Sequence, residues 1–176
     1  MGPHSRDLVA TTLDMARHAQ YALDSTDLRD LDRYNPGRIV NSCWDCYGHQ
    51  VTEALLSLWT DYFSQLWNCQ LVPCYSYARF HWKGAELKPH RDRTSCEYST
   101  TVMLYGDPWP IYMAGQEYLL EPGDAITYKG AEVEHWRQPF EGDRYLIATF
   151  HWVDSQGPHR DSIYDGRPGL GMPPVG

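Results

Sequence analysis

The chain has 176 residues, enough for one substantial core and too few for two ordinary domains, so its functional groups are expected to converge on one site. Its composition, 42% hydrophobic and 14% aromatic with 13 Tyr and 7 Trp, is that of a packed protein and not of a disordered chain. With 23 acidic against 15 basic residues the formal charge is -8, which argues against a phosphate-backbone binder and leaves small molecules or peptides as the expected partners, with only a local basic run at Lys88, Arg91 and Arg93.

No stretch approaches the roughly 18 apolar residues that span a bilayer, and the opening MGPHSRDLVATTLD lacks an apolar signal core, so no membrane association is expected and the expected location is the cytoplasm. Five cysteines without a secretion signal read as reduced thiols and not as a disulfide framework.

In chain order, residues 6–26 carry Leu8, Val9, Leu13, Met15, Ala19 and Leu23 at loosely helical spacing. After the turn-rich RYNPGR, the spacing predicts a second helix over 49–67, with Val51, Leu55, Leu58, Tyr62 and Leu66 as its apolar stripe. From Gln70 the texture changes to short β-prone runs separated by Gly and Pro: LVPCYSYARFHW, YSTTVMLY, PIYMAG, QEYLLEPGDAITY and RYLIATFHWV. The expectation is a mainly β fold with helices (α+β), an antiparallel sheet curled into a jelly roll with the N-terminal helices packed on one face. One unit of 176 residues is expected, with helical support over about 6–68, a β core over about 70–153 and an extended, Gly- and Pro-rich tail over 154–176.

KPHRDR places His90 and Asp92 two apart, so on a strand both side chains leave one face and grip one ion. EVEHWR offers His135 as the third ligand. Two histidines and a carboxylate form a facial triad that leaves coordination positions open, the ligand set of non-haem iron(II) oxygenases. Arg144, in GDRYLIATF, alternates with Leu146, Ala148 and Phe150 on an apolar face, where a charge needs a partner. Its fork suits a carboxylate, either that of a bound anion or that of a neighbouring acid.

The stretch KGAELKPHRD, with Gly84 six residues before His90, together with LEPGDAITYKG, His135 and Arg144 in a final strand, resembles the prolyl-4-hydroxylase-like branch of the iron(II)- and 2-oxoglutarate-dependent oxygenases over about residues 75–152. The string YSYARFHWKGAELKPHRDRTSCEYSTTVML is also similar to bacterial and phage-type members of that superfamily. The resemblance implies a double-stranded β-helix with Fe(II) at one mouth, His90, Asp92 and His135 as ligands, and Arg144 binding the distal carboxylate of 2-oxoglutarate. Thr101, Met103 and Tyr105 share one strand face and are expected in the co-substrate pocket. His81 stands beside them where prolyl hydroxylases often carry tyrosine. Dioxygen is the implied oxidant and ascorbate a supporting reductant. The intact Asp92 favours hydroxylation over halogenation, and Phe150, where nucleobase demethylases carry a second arginine, disfavours that activity.

The expected reaction is hydroxylation of an unactivated C–H in a small molecule, a free amino acid or a peptidyl side chain, with a non-catalytic 2-oxoglutarate- and metal-binding module as the alternative. Arg93 is a candidate substrate contact or an ion pair with Glu97, and Trp109 and Tyr112 in GDPWPIYM are candidates for a lid over substrate. Cys43, Cys46, Cys69 and Cys74 form a C-x2-C-x22-C-x4-C pattern that resembles a zinc site, but a long amphipathic helix between the pairs favours thiols in the core.

Overall fold

The computed structural model describes residues 40–172. The helix expected over 6–26 lies outside them. The first described element is β1 (Val40–Tyr47), followed by helix α1 (Gln50–Trp67) and the long strand β2 (Leu71–His90). Then come a 3-10 turn (Thr94–Cys96), β3 (Tyr98–Gly106), β4 (Ile111–Met113), β5 (Gln116–Tyr118), β6 (Ala125–Tyr128), β7 (His135–Arg137), β8 (Arg144–Asp154) and a 3-10 segment (Arg160–Gly166). The strands form one 8-stranded curled sheet in the order β5-β4-β7-β2-β8-β3-β6, with β1 also on β2, which makes the jelly roll of a double-stranded β-helix. No helix among the described residues is long and apolar enough to cross a membrane.

Strand alternation divides β8 and β3 between two environments. Leu146, Ala148, Phe150 and Trp152 of β8, with Val102 and Leu104 of β3, face α1. Leu56, Trp59 and Phe63 of the helix pack on them, with the Trp59–Phe150 and Phe63–Trp152 ring centroids both 4.8 Å apart. Each large side chain buried here contributes about 1.5–3 kcal/mol. The opposite face of β8, with Ile147, Thr149 and His151, lines the interior cavity.

The helix sits where its spacing predicts, but turned about its axis. Leu58 is 66% exposed and Tyr62 is exposed as well, whereas Thr52, Glu53, Leu56, Trp59 and Phe63 are buried. The stripe 51/55/58/62/66 and the stripe 52/56/59/63 have the same period. Two polar residues on the buried face, Thr52 and Glu53, disguise it. Glu53 is buried because Arg167 pairs with it at 3.0 Å and Ser76 N donates to it at 3.1 Å.

Arg167 also corrects the expected extended tail. Residues 160–166 form 3-10 turns broken by a non-helical kink at Ile163, Tyr164 and Asp165, and Arg167 then inserts beside α1, donating to Glu53 Oε1 and to the Cys74 carbonyl, both at 3.0 Å. A paired arginine anchors this part of the chain in spite of its Gly and Pro content.

β2 pairs with β8 from Leu71↔Asp154 to Trp82↔Arg144, then changes partner and pairs with β7 through Leu87↔Arg137 and His90↔His135. Gly84, at φ +87 with its N–H on the Phe140 carbonyl at 2.8 Å, makes the bend between the two pairings. That bend sets His90 opposite His135.

Candidate metal centre and co-substrate cavity

His90 ends β2 and His135 opens β7, and their imidazole centroids are 4.3 Å apart. Asp92 lies two residues past the end of β2, where the backbone runs on without a turn, and its carboxylate reaches the same site as the His90 imidazole. Asp92 N donates to the Gly130 carbonyl at 2.9 Å. Asp92 Oδ1 then lies 3.4 Å from His90 Nε2 and 3.7 Å from His135 Nε2. One ligand atom from each residue falls within 4.8 Å of the others, and this is the one such grouping of His, Cys, Asp and Glu among the described residues. Cys43, Cys46, Cys69 and Cys74 do not converge; Cys46 and Cys74 are core residues, and burial pushes the Cys46 thiol up to about 11.

The backbone selects the tautomer. His90 Nδ1 donates to the Lys88 carbonyl at 2.8 Å, and His135 Nδ1 to the Val133 carbonyl at 2.9 Å. A carbonyl only accepts, so both Nδ1 atoms carry the proton and both Nε2 lone pairs face Asp92. Burial opposes charge on His135 and holds its pKa below the usual range. Burial also opposes charge on His90, but in the protonated ring Nε2–H can donate to Asp92, and this bond together with the Lys88 carbonyl outweighs burial and raises its pKa. At Asp92 burial opposes ionisation, yet the His90 hydrogen bond and the fields of His151, His135 and His90 together hold the carboxyl below its usual range. Two neutral imidazoles and a carboxylate are a fitting donor set for a divalent metal.

Gly130 keeps room for this arrangement. A Cβ there would lie 2.5 Å from Asp92 Oδ2, 2.7 Å from the Cys96 carbonyl oxygen and 2.7 Å from Ser99 Oγ. Backbone has to approach the carboxylate so closely that no side chain is admitted.

The cluster forms one wall of a cavity of about 440 Å³. Arg137, two residues beyond His135, lines its inner part and is 3% exposed. Its guanidinium donates to the Trp109 carbonyl and, at 3.2 Å, to the Tyr145 hydroxyl, and lies 4.8 and 4.9 Å from the centroids of those two rings. Among the described residues no carboxylate pairs with it. Arg79, also on the wall, is matched by the buried Asp45. His151 donates from Nδ1 to Ser99 Oγ at 2.9 Å, since that hydroxyl itself donates to the Cys96 carbonyl, and burial lowers the His151 pKa to about 4.

No family model and no curated protein matches this sequence. Solved structures do resemble the fold. A prolyl-4-hydroxylase from Pseudomonas putida aligns over 81% of this chain and 87% of its own, with TM-score 0.60 and 18% identity. HygX from Streptomyces hygroscopicus, solved with nickel and 2-oxoglutarate bound, aligns over 82% and 80%, with TM-score 0.62 and 13% identity. The viral collagen prolyl hydroxylase of Paramecium Bursaria Chlorella virus-1, in its 2-oxoglutarate complex, aligns over 78% and 90%, with TM-score 0.58 and 11% identity. The chain has the fold of the prolyl-4-hydroxylase-like oxygenases.

Within this prolyl-hydroxylase fold the residues expected at the site separate into two groups. Thr101 lines the cavity, its Oγ1 3.3 Å from the Tyr128 hydroxyl, and Arg93 stands at the mouth. Met103 and His81 lie behind the wall: Met103 in the cluster of Trp109, Phe140 and Tyr145, and His81 with Nδ1 3.2 Å from the Tyr145 carbonyl. Arg144 does not face the cavity. Its side chain is 54% exposed, bonded to Asp143, and shares an exterior groove with Tyr105. The reason is strand parity, because Arg144 alternates with Leu146, Ala148 and Phe150, the face turned toward α1.

Trp109 and Tyr112 form no lid. Trp109 is buried under Arg137 and donates from Nε1 to the Gln138 carbonyl at 2.8 Å. Tyr112 stacks on Trp136 at 4.1 Å, on the face of β4 opposite Ile111, which does line the cavity. The sequence did not point to Arg137, Gly130, Tyr128 or Thr149, and His151, for which a hydrogen bond within the sheet was expected over a place in the pocket, lines the cavity and bonds Ser99. Arg137 was open to discovery, since it lies two residues from His135 and therefore shares its face on a strand.

Proposed function

We propose that this protein is an Fe(II)- and 2-oxoglutarate-dependent oxygenase that hydroxylates an unactivated C–H of a small molecule, free amino acid or peptidyl side chain in the cytoplasm. The observation that carries this reading is the convergence of two Nε2 lone pairs and one carboxylate on the wall of a cavity that also holds a buried arginine without an acid partner among the described residues. Fe(II) bound by His90, Asp92 and His135 would supply the redox chemistry that couples conversion of 2-oxoglutarate to succinate and CO2, with dioxygen as oxidant and ascorbate as supporting reductant, to hydroxylation. HygX and the viral prolyl hydroxylase, which bind 2-oxoglutarate on the same fold, support the choice of co-substrate.

This chain's residues divide the work. The Lys88 and Val133 carbonyls hold the imidazoles in the ligating tautomer, and Asp92 contributes one negative charge. Arg137 is assigned the distal carboxylate of 2-oxoglutarate in place of Arg144. Two strand residues advance about 6.6 Å, which suits a five-carbon diacid held at both ends. The Trp109 carbonyl and Tyr145 hydroxyl fix the guanidinium in advance, so little order is lost on binding. Leu87 and Ile147 make the neighbouring wall apolar and exclude water beside the cluster.

The test is anaerobic addition of Fe(II) and 2-oxoglutarate, followed by oxygen. A visible charge-transfer band and then succinate are expected. A band without succinate on any substrate would favour a non-catalytic binding module, and no band with iron bound would remove 2-oxoglutarate from the account.

A further inference from the structure

The segment that follows β8 is bonded to two residues that line the cavity, Tyr47 and Arg93. Its anchor is Arg167, paired with Glu53 in the interior, and Gly171 N, which donates to Glu53 Oε2 at 2.6 Å. Just before that anchor, Tyr164 (φ 53), Asp165 (φ 56) and Gly166 (φ 73) are left-handed one after another. Two non-glycine residues in that region are held only where the surroundings over-determine them.

What the conformation achieves is the placement of one carboxylate. Asp165 Oδ2 accepts from the Tyr47 hydroxyl at 2.6 Å and from Arg93 Nη2 at 2.7 Å. Tyr47 and Arg93 both line the cavity, and Arg93 is the residue after Asp92. The Arg93 guanidinium lies 4.5 Å from the Tyr75 ring centroid, and Tyr75 in turn packs at 4.5 Å on His151 of the cavity wall. The Arg93 side chain is 55% exposed and that of Asp165 17%. An ion pair this open contributes little to stability, less than the backbone strain attached to it, so stability alone does not account for the pair.

The other charges on the wall are committed. Arg79 is matched by Asp45, and Arg137 is assigned to 2-oxoglutarate. A ligand at the mouth therefore meets the Arg93 guanidinium beside the rings of Tyr47, Tyr75 and Tyr77, with the partly exposed Asp165 carboxylate bonded to both Arg93 and Tyr47. The geometry points to a zwitterionic α-amino acid as the substrate class, its ammonium taken by Asp165, its carboxylate by Arg93, and its side chain directed inward to His90, Asp92 and His135. This inference rests on the oxygenase reading for the reaction that follows, though not for the recognition itself. An internal peptide residue, carrying neither charge, would leave the pair unused.

Calorimetry with the twenty common L-amino acids as probes tests this, on protein loaded with nickel(II) and 2-oxoglutarate and, separately, on metal-free protein. At least one amino acid is expected to bind, and its N-acetyl and amide derivatives to bind about tenfold or more weakly. Asp165→Asn keeps the acceptor for Tyr47 and tolerates the left-handed backbone, and it is expected to weaken amino-acid binding about ten- to a hundredfold while 2-oxoglutarate affinity is unchanged. Arg93→Gln is expected to do the same. Absence of binding to both forms, equal binding of the capped derivatives, or an Asp165→Asn variant that binds as well as the parent overturns the inference. Amino-acid binding that depends on Asp165 in a protein unable to take up nickel or 2-oxoglutarate would leave this inference standing and remove the oxygenase reading.

Discussion

Replacing Arg137 and Arg144 in turn separates two assignments of the co-substrate anchor. Arg137→Gln removes a buried cation that already bonds Trp109 and Tyr145, and whose remaining N–H groups are available to a carboxylate. A hydrogen bond to a charged group is worth about 1.5–3 kcal/mol, so loss of a two-point contact, allowing for incomplete additivity, amounts to about 3 kcal/mol, or roughly 150-fold in affinity. Arg144→Gln removes an exposed side chain bonded to Asp143, and less than a twofold change is expected. The assay is anaerobic titration of 2-oxoglutarate into the Fe(II) protein, followed by the visible band, with circular dichroism to confirm that both variants fold. A large loss in Arg144→Gln and none in Arg137→Gln would refute the parity argument on which the reassignment rests.

Gly130→Ala is expected to abolish tight metal binding, because the new methyl group meets Asp92 Oδ2 and two further oxygens, and nickel(II) calorimetry would read the loss directly. Metal-free protein should lose stability as pH falls from 6.5 to about 4, since unfolded His151 takes up a proton in that window and the buried, neutral side chain does not. About 3 kcal/mol is at stake for a shift of this size, and urea unfolding of wild type against His151→Gln at pH 7 and pH 4.5 should show the variant's shallower decline. Leu56→Ala should cost about 2–5 kcal/mol while Leu58→Ala costs under about 0.5 kcal/mol, which thermal unfolding can separate.

Much of the fold was legible because periodicity survives without tertiary detail. The helix over 50–67 and the β-prone runs that became β2, β3 and β8 fall where spacing and residue type put them. Which face of the helix turns inward was not legible, because Glu53 is buried by a partner more than a hundred residues away. The same long-range pair hid the order of the segment after β8. His90, Asp92 and His135 were readable as a potential ligand set from residue chemistry, yet the bond from Asp92 N to the Gly130 carbonyl beside the cluster is a long-range contact that spacing does not encode. Arg144 was misread although its alternation with Leu146, Ala148 and Phe150 was correctly seen. Nothing local to the strand distinguishes the face packed on a helix from the face that lines a cavity, and only the position of α1 decides it.

The most direct measurement of the central claim is a crystal structure of the protein with manganese(II) and 2-oxoglutarate, using anomalous scattering to locate the metal. One anomalous peak bonded to His90 Nε2, Asp92 Oδ1 and His135 Nε2, with the distal carboxylate of 2-oxoglutarate on Arg137, is the predicted result. A peak among the cysteines, or no peak at the two histidines in fully loaded crystals, would contradict the account at its base.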